Sequence, residues 1–160
     1  MNNILFDNGL KDLNLKHPPI LNKDDQGKYV NDWRGQYKGK TAAILRPINT
    51  EEVSCILKFA YKNNIDVVPQ GGNTSLCGAA TPDNTGKSII ISLEKMNNVR
   101  QFNKAAQTIT VESGIILSRI HEIVENDNLF FPLSLGAKGS CMIGGNSVSY
   151  THLTLPTMFE

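Results

Sequence analysis

The strongest restriction on the fold comes from a glycine-rich loop that directly follows an apolar run. The loop reads Pro69-Gln70-Gly71-Gly72-Asn73-Thr74-Ser75-Leu76, after Val67 and Val68. Paired glycines let the backbone approach a ligand where any Cβ would collide. Successive backbone N–H groups in such a turn can form an anion-binding nest, and neutral side chains of the loop can add hydrogen bonds to phosphate oxygens. An ordinary tight turn explains this loop about equally well, since glycine and asparagine also mark such turns.

A second glycine-rich run, residues 132–146, makes a binding role more specific. It contains Gly136, Ala137 and Ser140, and it ends in Gly144-Gly145-Asn146. Two loops of this kind fit a long, two-ended cofactor better than a mononucleotide. We call residues 69–76 loop 1 and residues 132–146 loop 2.

The apolar patterns predict that loop 1 ends a strand–helix–strand unit. Residues 42–46 form a short strand, and residues 65–69 form the next strand, with a helix between them capped by Asn49 or Thr50. Ligands of open α/β sheets bind at the carboxyl ends of such strands. Apolar residues recur at helical spacing and predict one buried stripe: Val53, Ile56, Leu57, Ala60 and Tyr61.

The middle of the chain predicts a further strand, a hairpin and a second helix. Residues 88–93 are almost continuously apolar, as in a buried strand. Residues 99–102 and 108–112 read as two strands joined by a short loop. A helix follows Ser113-Gly114, and its apolar face lies on one side. The predicted fold class is α+β, with a second subdomain that starts near residue 113.

Composition excludes several classes of protein. With 40% hydrophobic residues and a net charge of +1, the chain is neither a strongly basic nucleic-acid binder nor an acidic disordered tail. No apolar run is long enough to predict a transmembrane helix. The first residues lack the pattern of a secretory or transit peptide. The 3 cysteines are widely spaced, which favours a reducing compartment and predicts a cytoplasmic protein.

Two short motifs are better explained as structure than as sites. Thr85-Gly86-Lys87-Ser88 ends like a phosphate-binding P-loop, but Thr81 stands where that motif needs glycine, and a strand follows instead of a helix. His121 and Glu122 resemble part of a zinc helix, but Glu125 stands where the second histidine is required, so a solvated helix face is favoured. We therefore assign no metal ligand.

The two loops together resemble a known family of flavin domains. From about Asp32 to Asn146 the chain is similar to the N-terminal part of the FAD-binding, PCMH-type domain of the vanillyl-alcohol oxidase/p-cresol methylhydroxylase class. Loops 1 and 2 resemble most the D-2-hydroxyglutarate dehydrogenase branch, near D-lactate dehydrogenases and the FAD subunit of glycolate oxidase. The resemblance implies the first α/β subdomain of that domain and the start of the second.

The same resemblance implies FAD as cofactor. Some members attach FAD covalently through a histidine directly after the paired glycines, where this chain has Asn73, so non-covalent binding is implied. Only Lys138 is charged in loop 2, so the diphosphate would be held mainly by backbone N–H groups and neutral side chains. The implied FAD contacts are Pro69, Gln70, Gly71, Gly72, Asn73, Thr74, Ser75, Leu76, Pro132, Gly136, Ala137, Ser140, Gly144, Gly145 and Asn146.

The implied activity is that of an FAD-dependent D-2-hydroxyacid dehydrogenase, which oxidises a 2-hydroxy acid to a 2-oxo acid. In the family, the substrate-binding arginines, metal-binding histidines and catalytic base belong to a C-terminal domain, so no catalytic residue is assigned and the chain alone is predicted to be inactive. The alternatives are a D-lactate dehydrogenase, a glycolate oxidase FAD subunit or a non-catalytic nucleotide-binding module. The electron acceptor stays unassigned.

The chain is predicted to have three parts. Residues 1–36 form a lead segment with Trp33 as a packing anchor, and residues 37–146 form a partial FAD-binding domain. Residues 147–160 are predicted to be a foreign tail, because Val148 to Thr157 can be back-translated into a transposase mosaic-end adaptor of sequencing libraries. A natural C-terminal strand is the alternative. Because the second subdomain has only begun, the surfaces meant to pack against it would be exposed, and the chain is expected to fold poorly. Loop 2 would lack anchoring strands, so FAD binding is expected to be weak or absent.

Overall fold

The computed structural model describes residues 9–147, so the predicted tail from Val148 onward lies outside the described residues. Its core is a parallel three-stranded sheet of β1 (Ala43–Leu45), β2 (Val67–Gln70) and β3 (Ile89–Ser92), in the order β1-β3-β2. Strand β3 lies in the centre and is buried along its whole length. Its continuous apolar sequence follows from this position, because helices or other chain segments cover both faces of a parallel sheet.

The lead segment packs against the sheet. It contains a 3-10 turn, Lys23–Gln26, followed by the short helix α1 (Gly27–Val30). Ile20 pairs antiparallel with Ile44 of β1, with N–O distances of 3.0 and 3.1 Å. Tyr29 lies in a small core cluster with Ile44. Trp33 is 64% exposed, so the prediction that it anchors the segment is wrong, and Tyr29 has that role.

Helix α2 (Thr50–Lys62) connects β1 to β2, as the sequence predicts. The Asn49 side chain accepts a hydrogen bond from the Glu52 backbone N–H at 2.8 Å and so caps the helix. The buried stripe predicted on α2 includes two residues that are exposed in the structure. Leu57 is 47% exposed and Tyr61 91% exposed, because Phe59 packs against the core beside the buried members of the stripe.

A hairpin follows β3 along the chain. Strands β4 (Val99–Asn103) and β5 (Thr108–Val111) pair antiparallel, which confirms the predicted hairpin. Helix α3 (Leu117–Glu125) follows and buries Leu117, Ile120 and Val124. None of the helices in residues 9–147 is both long and apolar enough to cross a membrane.

Candidate functional site

Loops 1 and 2 lie side by side, beyond the carboxyl end of β2. A Cβ on Gly71 would lie 3.4 Å from the Met142 Cβ, and a Cβ on Gly72 would lie 2.0 Å from the Ser140 backbone oxygen. The fold therefore brings together the two segments that the sequence predicts to form one site.

Loop 1 presents unused backbone donors. Within the described residues, the N–H groups of Gly72 to Leu76 form no intramolecular hydrogen bond. Asn73 has a φ of 53°, a left-handed conformation that asparagine tolerates better than most residues. Left-handed residues next to ordinary ones turn successive N–H groups toward one side of a loop, which is how anion-binding nests form. The geometry suits an anionic group such as a diphosphate.

The longer side chains of loop 1 are engaged with the protein. Gln70 is 3% exposed, and its Nε2 donates to the Tyr29 oxygen at 2.8 Å and to the Ala80 oxygen at 2.7 Å. Asn73 Nδ2 donates to the Asn31 oxygen at 2.7 Å. These amide donors tie loop 1 to the lead segment and to the segment that follows the loop. The backbone N–H groups, rather than the amide donors of Gln70 and Asn73, are thus available to a ligand.

An exposed thiol with a lowered pKa, that of Cys77, lies directly after loop 1. The Ser75 hydroxyl lies 3.2 Å from Cys77 Sγ and accepts a hydrogen bond from the Cys77 backbone N–H. The hydrogen bond to Ser75 is the main cause that lowers the pKa of the Cys77 thiol below its usual value. The Ser75 side chain therefore has its partners in Cys77, directly after the loop.

Loop 2 is anchored by backbone hydrogen bonds to residues 113–118. Leu117 and Ser118 donate to the oxygens of Cys141 and Lys138 at 3.1 and 2.9 Å. In the other direction, Ile143 and Gly144 donate to residues 115 and 113 at 3.0 and 2.9 Å. Loop 2 therefore has an anchor in the described chain, although its hydrogen-bond partners form no regular strand. The anchor is the irregular segment before and at the start of α3, which shows no strand periodicity in the sequence.

The predicted contact residues of loop 2 differ in exposure. Asn146 is 7% exposed, and its Nδ2 donates to Cys141 Sγ at 3.3 Å. The remaining members are exposed or partly exposed: Pro132, Gly136, Ala137, Ser140, Gly144 and Gly145. A Cβ on Gly136 or Gly145 would have no described atom within 4 Å. Exposed backbone at Gly136 and Gly145 leaves room for a ligand, whereas Asn146 supports the loop from inside.

A cluster of charges lies beyond the carboxyl ends of β1 and β3. Glu94 accepts a hydrogen bond from the buried Tyr29 hydroxyl at 3.0 Å and forms ion pairs with Arg46 at 3.7 Å and Lys28 at 3.5 Å. Burial raises the pKa of Tyr29. Two cations thus offset one carboxylate, so this cluster does not add an unbalanced negative charge to the sheet edge.

Sequence reasoning missed several residues that support the site. The backbone oxygens of Tyr29 and Asn31 receive the loop 1 amides, and a backbone acceptor leaves no signal in a sequence. A ring nitrogen of His121 lies 2.9 Å from the Leu133 oxygen, at the start of loop 2. His121 therefore does more than cover a solvated helix face, and its backbone partner leaves no signal in the sequence.

Known proteins are similar to this chain in sequence. The family described as FAD binding domain matches residues 41–154. A putative mitochondrial D-lactate dehydrogenase from Schizosaccharomyces pombe is 42% identical over 71% of this chain and 21% of its own length. A probable mitochondrial D-2-hydroxyglutarate dehydrogenase from Oryza sativa subsp. indica is 41% identical over 79% of this chain and 22% of its own. The chain thus spans about a fifth of these relatives.

Solved structures match at the level of fold. An alkyldihydroxyacetonephosphate synthase superposes with a TM-score of 0.75 at 20% identity, over 86% of this chain and 28% of its own. A xylooligosaccharide oxidase from Myceliophthora thermophila gives a TM-score of 0.73 at 20% identity, over 88% and 29%. Because the family match covers most of the sequence and both loops, the chain belongs to the FAD binding domain family, of the PCMH type.

Proposed function

We propose that loops 1 and 2 bind FAD non-covalently and that the chain is the cofactor-binding part of an FAD-dependent D-2-hydroxyacid dehydrogenase. The observation that carries the proposal is the run of N–H groups from Gly72 to Leu76 that no described residue uses, beside the exposed backbone of loop 2. The neutral side chains of Thr74 and Ser75 can add donors to a diphosphate. An amide at position 73 cannot form the bond that a linking histidine makes.

In this proposal the chain's residues bind and orient, and they do not move the substrate proton. FAD, when bound, supplies the hydride acceptor, while the protein sets its position and electrostatics. Loop 1 would hold the diphosphate through the N–H groups of Gly72 to Leu76. Loop 2 would line another side of the cofactor through the backbone around Gly136 and Gly145. The catalytic base and any metal ligands are proposed to lie in parts of the longer relatives that this chain does not span.

A charge substitution in loop 1 tests the cofactor site. Thr74→Glu puts a carboxylate beside the N–H groups that would hold the diphosphate, and we expect FAD affinity to fall by at least about tenfold through like-charge repulsion. The measurement is quenching of flavin fluorescence during titration of the 160-residue chain. Backbone hydrogen bonds from residues 113–118 hold loop 2 within the described chain, which supports measuring FAD binding on this chain.

Thr110→Glu is the matched control, since it adds the same charge on the exposed β5 strand. It should leave FAD affinity unchanged. Equal affinities of the two variants, or no FAD binding by the unsubstituted chain, would contradict the proposed site. Ultrafiltration after acid precipitation checks the attachment: flavin that stays with the protein pellet would contradict non-covalent binding.

The substrate is proposed to be D-2-hydroxyglutarate, by the names of several relatives. D-lactate is the alternative, since one of those relatives is described as a D-lactate dehydrogenase. Glycolate and a purely nucleotide-binding role remain further candidates. Reduction of bound flavin by each 2-hydroxy acid, in a longer protein that contains this chain, separates them. The absence of reduction by any of them would favour the non-catalytic module.

The location is proposed to be cytoplasmic. Three free thiols at Cys55, Cys77 and Cys141 support a reducing compartment. The relatives compared above are described as mitochondrial, so cell fractionation of the native protein is the deciding measurement. Enrichment in an organelle fraction would contradict the proposal.

A further inference from the structure

The contact between Gly72 and loop 2 is tighter than any side chain permits. A Cβ at position 72 would lie 2.0 Å from the Ser140 oxygen, 2.9 Å from the Ser140 carbonyl carbon and 3.0 Å from the Cys141 Cα. All three are backbone atoms, which cannot rotate aside as the end of a flexible side chain can. The neighbouring Gly71 differs, since its Cβ would meet only side-chain atoms of Met142, at 3.4 Å or more.

The opposing backbone is itself fixed. The N–H groups of Ser140 and Cys141 both donate to the Ala137 oxygen at 2.8 Å. The oxygens of Lys138 and Cys141 accept from Ser118 and Leu117 at the start of α3. Loop 2 can therefore move away from position 72 only if some of these hydrogen bonds lengthen or break.

We propose that Gly72 is a positioning residue, which sets the distance between loops 1 and 2 through its contact with the Ser140 backbone. The sequence predicts that Gly72 lets the backbone approach a ligand directly. The positioning role acts instead through loop 2, and the contact that supports it exists before any ligand binds. Its relevance to FAD rests on the proposed function. The contact itself does not, so the two can fail separately.

Hydrogen exchange of the 160-residue chain without flavin tests the proposal. Gly72→Ala should raise exchange about tenfold or more at the amides of residues 117, 118, 143 and 144, which form the loop 2 anchor. Amides of β3 should keep their protection, because the core sheet is not touched. Gly139→Ala is the matched control, since a Cβ there meets no described atom within 4 Å. Unchanged exchange at the anchor, equal changes in both variants, or an equal rise in β3 would overturn the proposal.

A double substitution covers the case in which Gly72→Ala fails to fold. Ser118→Pro removes the N–H that donates to the Lys138 oxygen, at a first-turn helix position that accepts proline. If Gly72 acts against an anchored loop 2, the loosened loop should accommodate the added methyl group. The combined loss in urea midpoint should then be smaller than the sum of the single losses. Additive losses, or failure of Ser118→Pro to restore folding to an unfolded Gly72→Ala chain, would overturn the proposal.

Adding flavin separates this inference from the proposed function. We expect Gly72→Ala to weaken FAD binding about tenfold or more, in parallel with the exposure of the anchor amides. Altered exchange at the anchor with unchanged FAD affinity would support the positioning role and contradict the part of loop 2 in cofactor binding.

Discussion

Loops 1 and 2 resemble one another in composition but are held in opposite ways. Beyond the backbone pairing of Pro69 and Gln70 with β3, loop 1 is held by side chains: Gln70 and Asn73 donate to backbone oxygens of the lead segment, while the N–H groups of Gly72 to Leu76 stay unused by the described part of the chain. Loop 2 is held by its backbone, which exchanges hydrogen bonds with residues 113–118. A glycine-rich motif therefore does not reveal which of its atoms a ligand can reach.

The glycines of the two loops also fall into two groups, and loop 2 contains both kinds. Gly72 and Gly144 lie against backbone atoms of another segment, where a Cβ would come within 3 Å of a neighbour. Gly136 and Gly145 face space that no atom of residues 9–147 fills. The first pair serves close packing between segments, whereas the second pair leaves room beside the chain. Substitutions can test each side of this comparison.

The largest effect is expected at Gln70, which holds loop 1. Gln70→Glu keeps the shape but sets a buried carboxylate against the oxygens of Tyr29 and Ala80, which lose their donors. We expect a loss of about 3–5 kcal/mol in the free energy of unfolding at pH 7, measured in urea. The pKa of the new carboxyl would be raised in the folded state, so its penalty should diminish as pH falls and the group becomes a donor.

Gln101→Glu is the control for this substitution, because Gln101 is exposed on β4. It should change the free energy of unfolding by no more than about 0.5 kcal/mol. A similar loss in both variants would mean that the Gln70 amide does not hold loop 1 in the way the hydrogen bonds indicate.

The next largest loss of stability is expected at Gly144 of loop 2, and the adjacent Gly145 serves as the comparison. A Cβ on Gly144 would lie 2.8 Å from the Ser113 Cβ and 2.9 Å from its oxygen, so Gly144→Ala should cost about 1–3 kcal/mol. Gly145→Ala meets no described atom and lies in the helical residues 143–147, so it should be neutral or stabilise by up to about 1 kcal/mol. Thermal unfolding of the two variants gives the difference, and equal melting temperatures would contradict the packing argument.

Much of the fold could be predicted because its signals are local. The apolar run of β3, the Asn49 cap and the hairpin strands each follow from side chains within a few residues. The helix stripe was predicted less well, because periodicity alone does not say which of two adjacent apolar rows meets the sheet. Phe59 decides it by packing against the core, which leaves Leu57 and Tyr61 exposed.

The site could be predicted only in part for a related reason. Both loops were recognised from their glycines, but the contacts that hold them use backbone atoms distant in sequence, such as the Asn31 and Ser113 oxygens. Every residue type carries a backbone oxygen, so no sequence pattern marks it as a partner. In the turn that contains Trp33, the neighbouring Asp32 carboxylate is the organising group, since it accepts the Tyr37 N–H at 2.7 Å while Trp33 is exposed.

A smaller loss of stability is expected at Glu112, beside the segment that anchors loop 2. Glu112 directly precedes this segment, and its carboxylate accepts hydrogen bonds from the Asn98 N–H and side chain at 3.0 and 2.9 Å and pairs with Arg100. The Asn98 N–H is the main cause that lowers the pKa of Glu112 below its usual 4.5. Glu112→Gln should cost about 1–2 kcal/mol at pH 7.

The pH dependence of the stability difference between the unsubstituted chain and Glu112→Gln tests the contacts of Glu112. A depressed folded pKa stabilises the protein above the unfolded pKa, and that contribution is lost as pH falls through the folded value. The difference in stability between the unsubstituted chain and the Glu112→Gln variant should therefore be largest at neutral pH and shrink below about pH 4. Urea midpoints across this range provide the measurement. A difference that grows on acidification would contradict the assigned contacts.

The smallest effect is expected for Asn73→Gly, at a residue where a side-chain hydrogen bond and a left-handed backbone occur together. Asn73→Gly removes the bond to the Asn31 oxygen but accepts a φ of 53° without strain, so we expect a loss of about 0.5–1 kcal/mol. Asn73→Ala removes the same bond and adds the cost of a left-handed Cβ, about 1–2 kcal/mol more. The difference in stability between the two variants measures the cost of the left-handed conformation. The loss of stability in Asn73→Gly measures the hydrogen bond to the Asn31 oxygen. If loop 1 is held by side chains while loop 2 is held by its backbone, the glycine variant should raise hydrogen exchange around residues 28–31 and leave the loop 2 anchor protected. Loss of protection at the anchor in that variant would show that the two loops share one support, and the contrast between them would then be wrong.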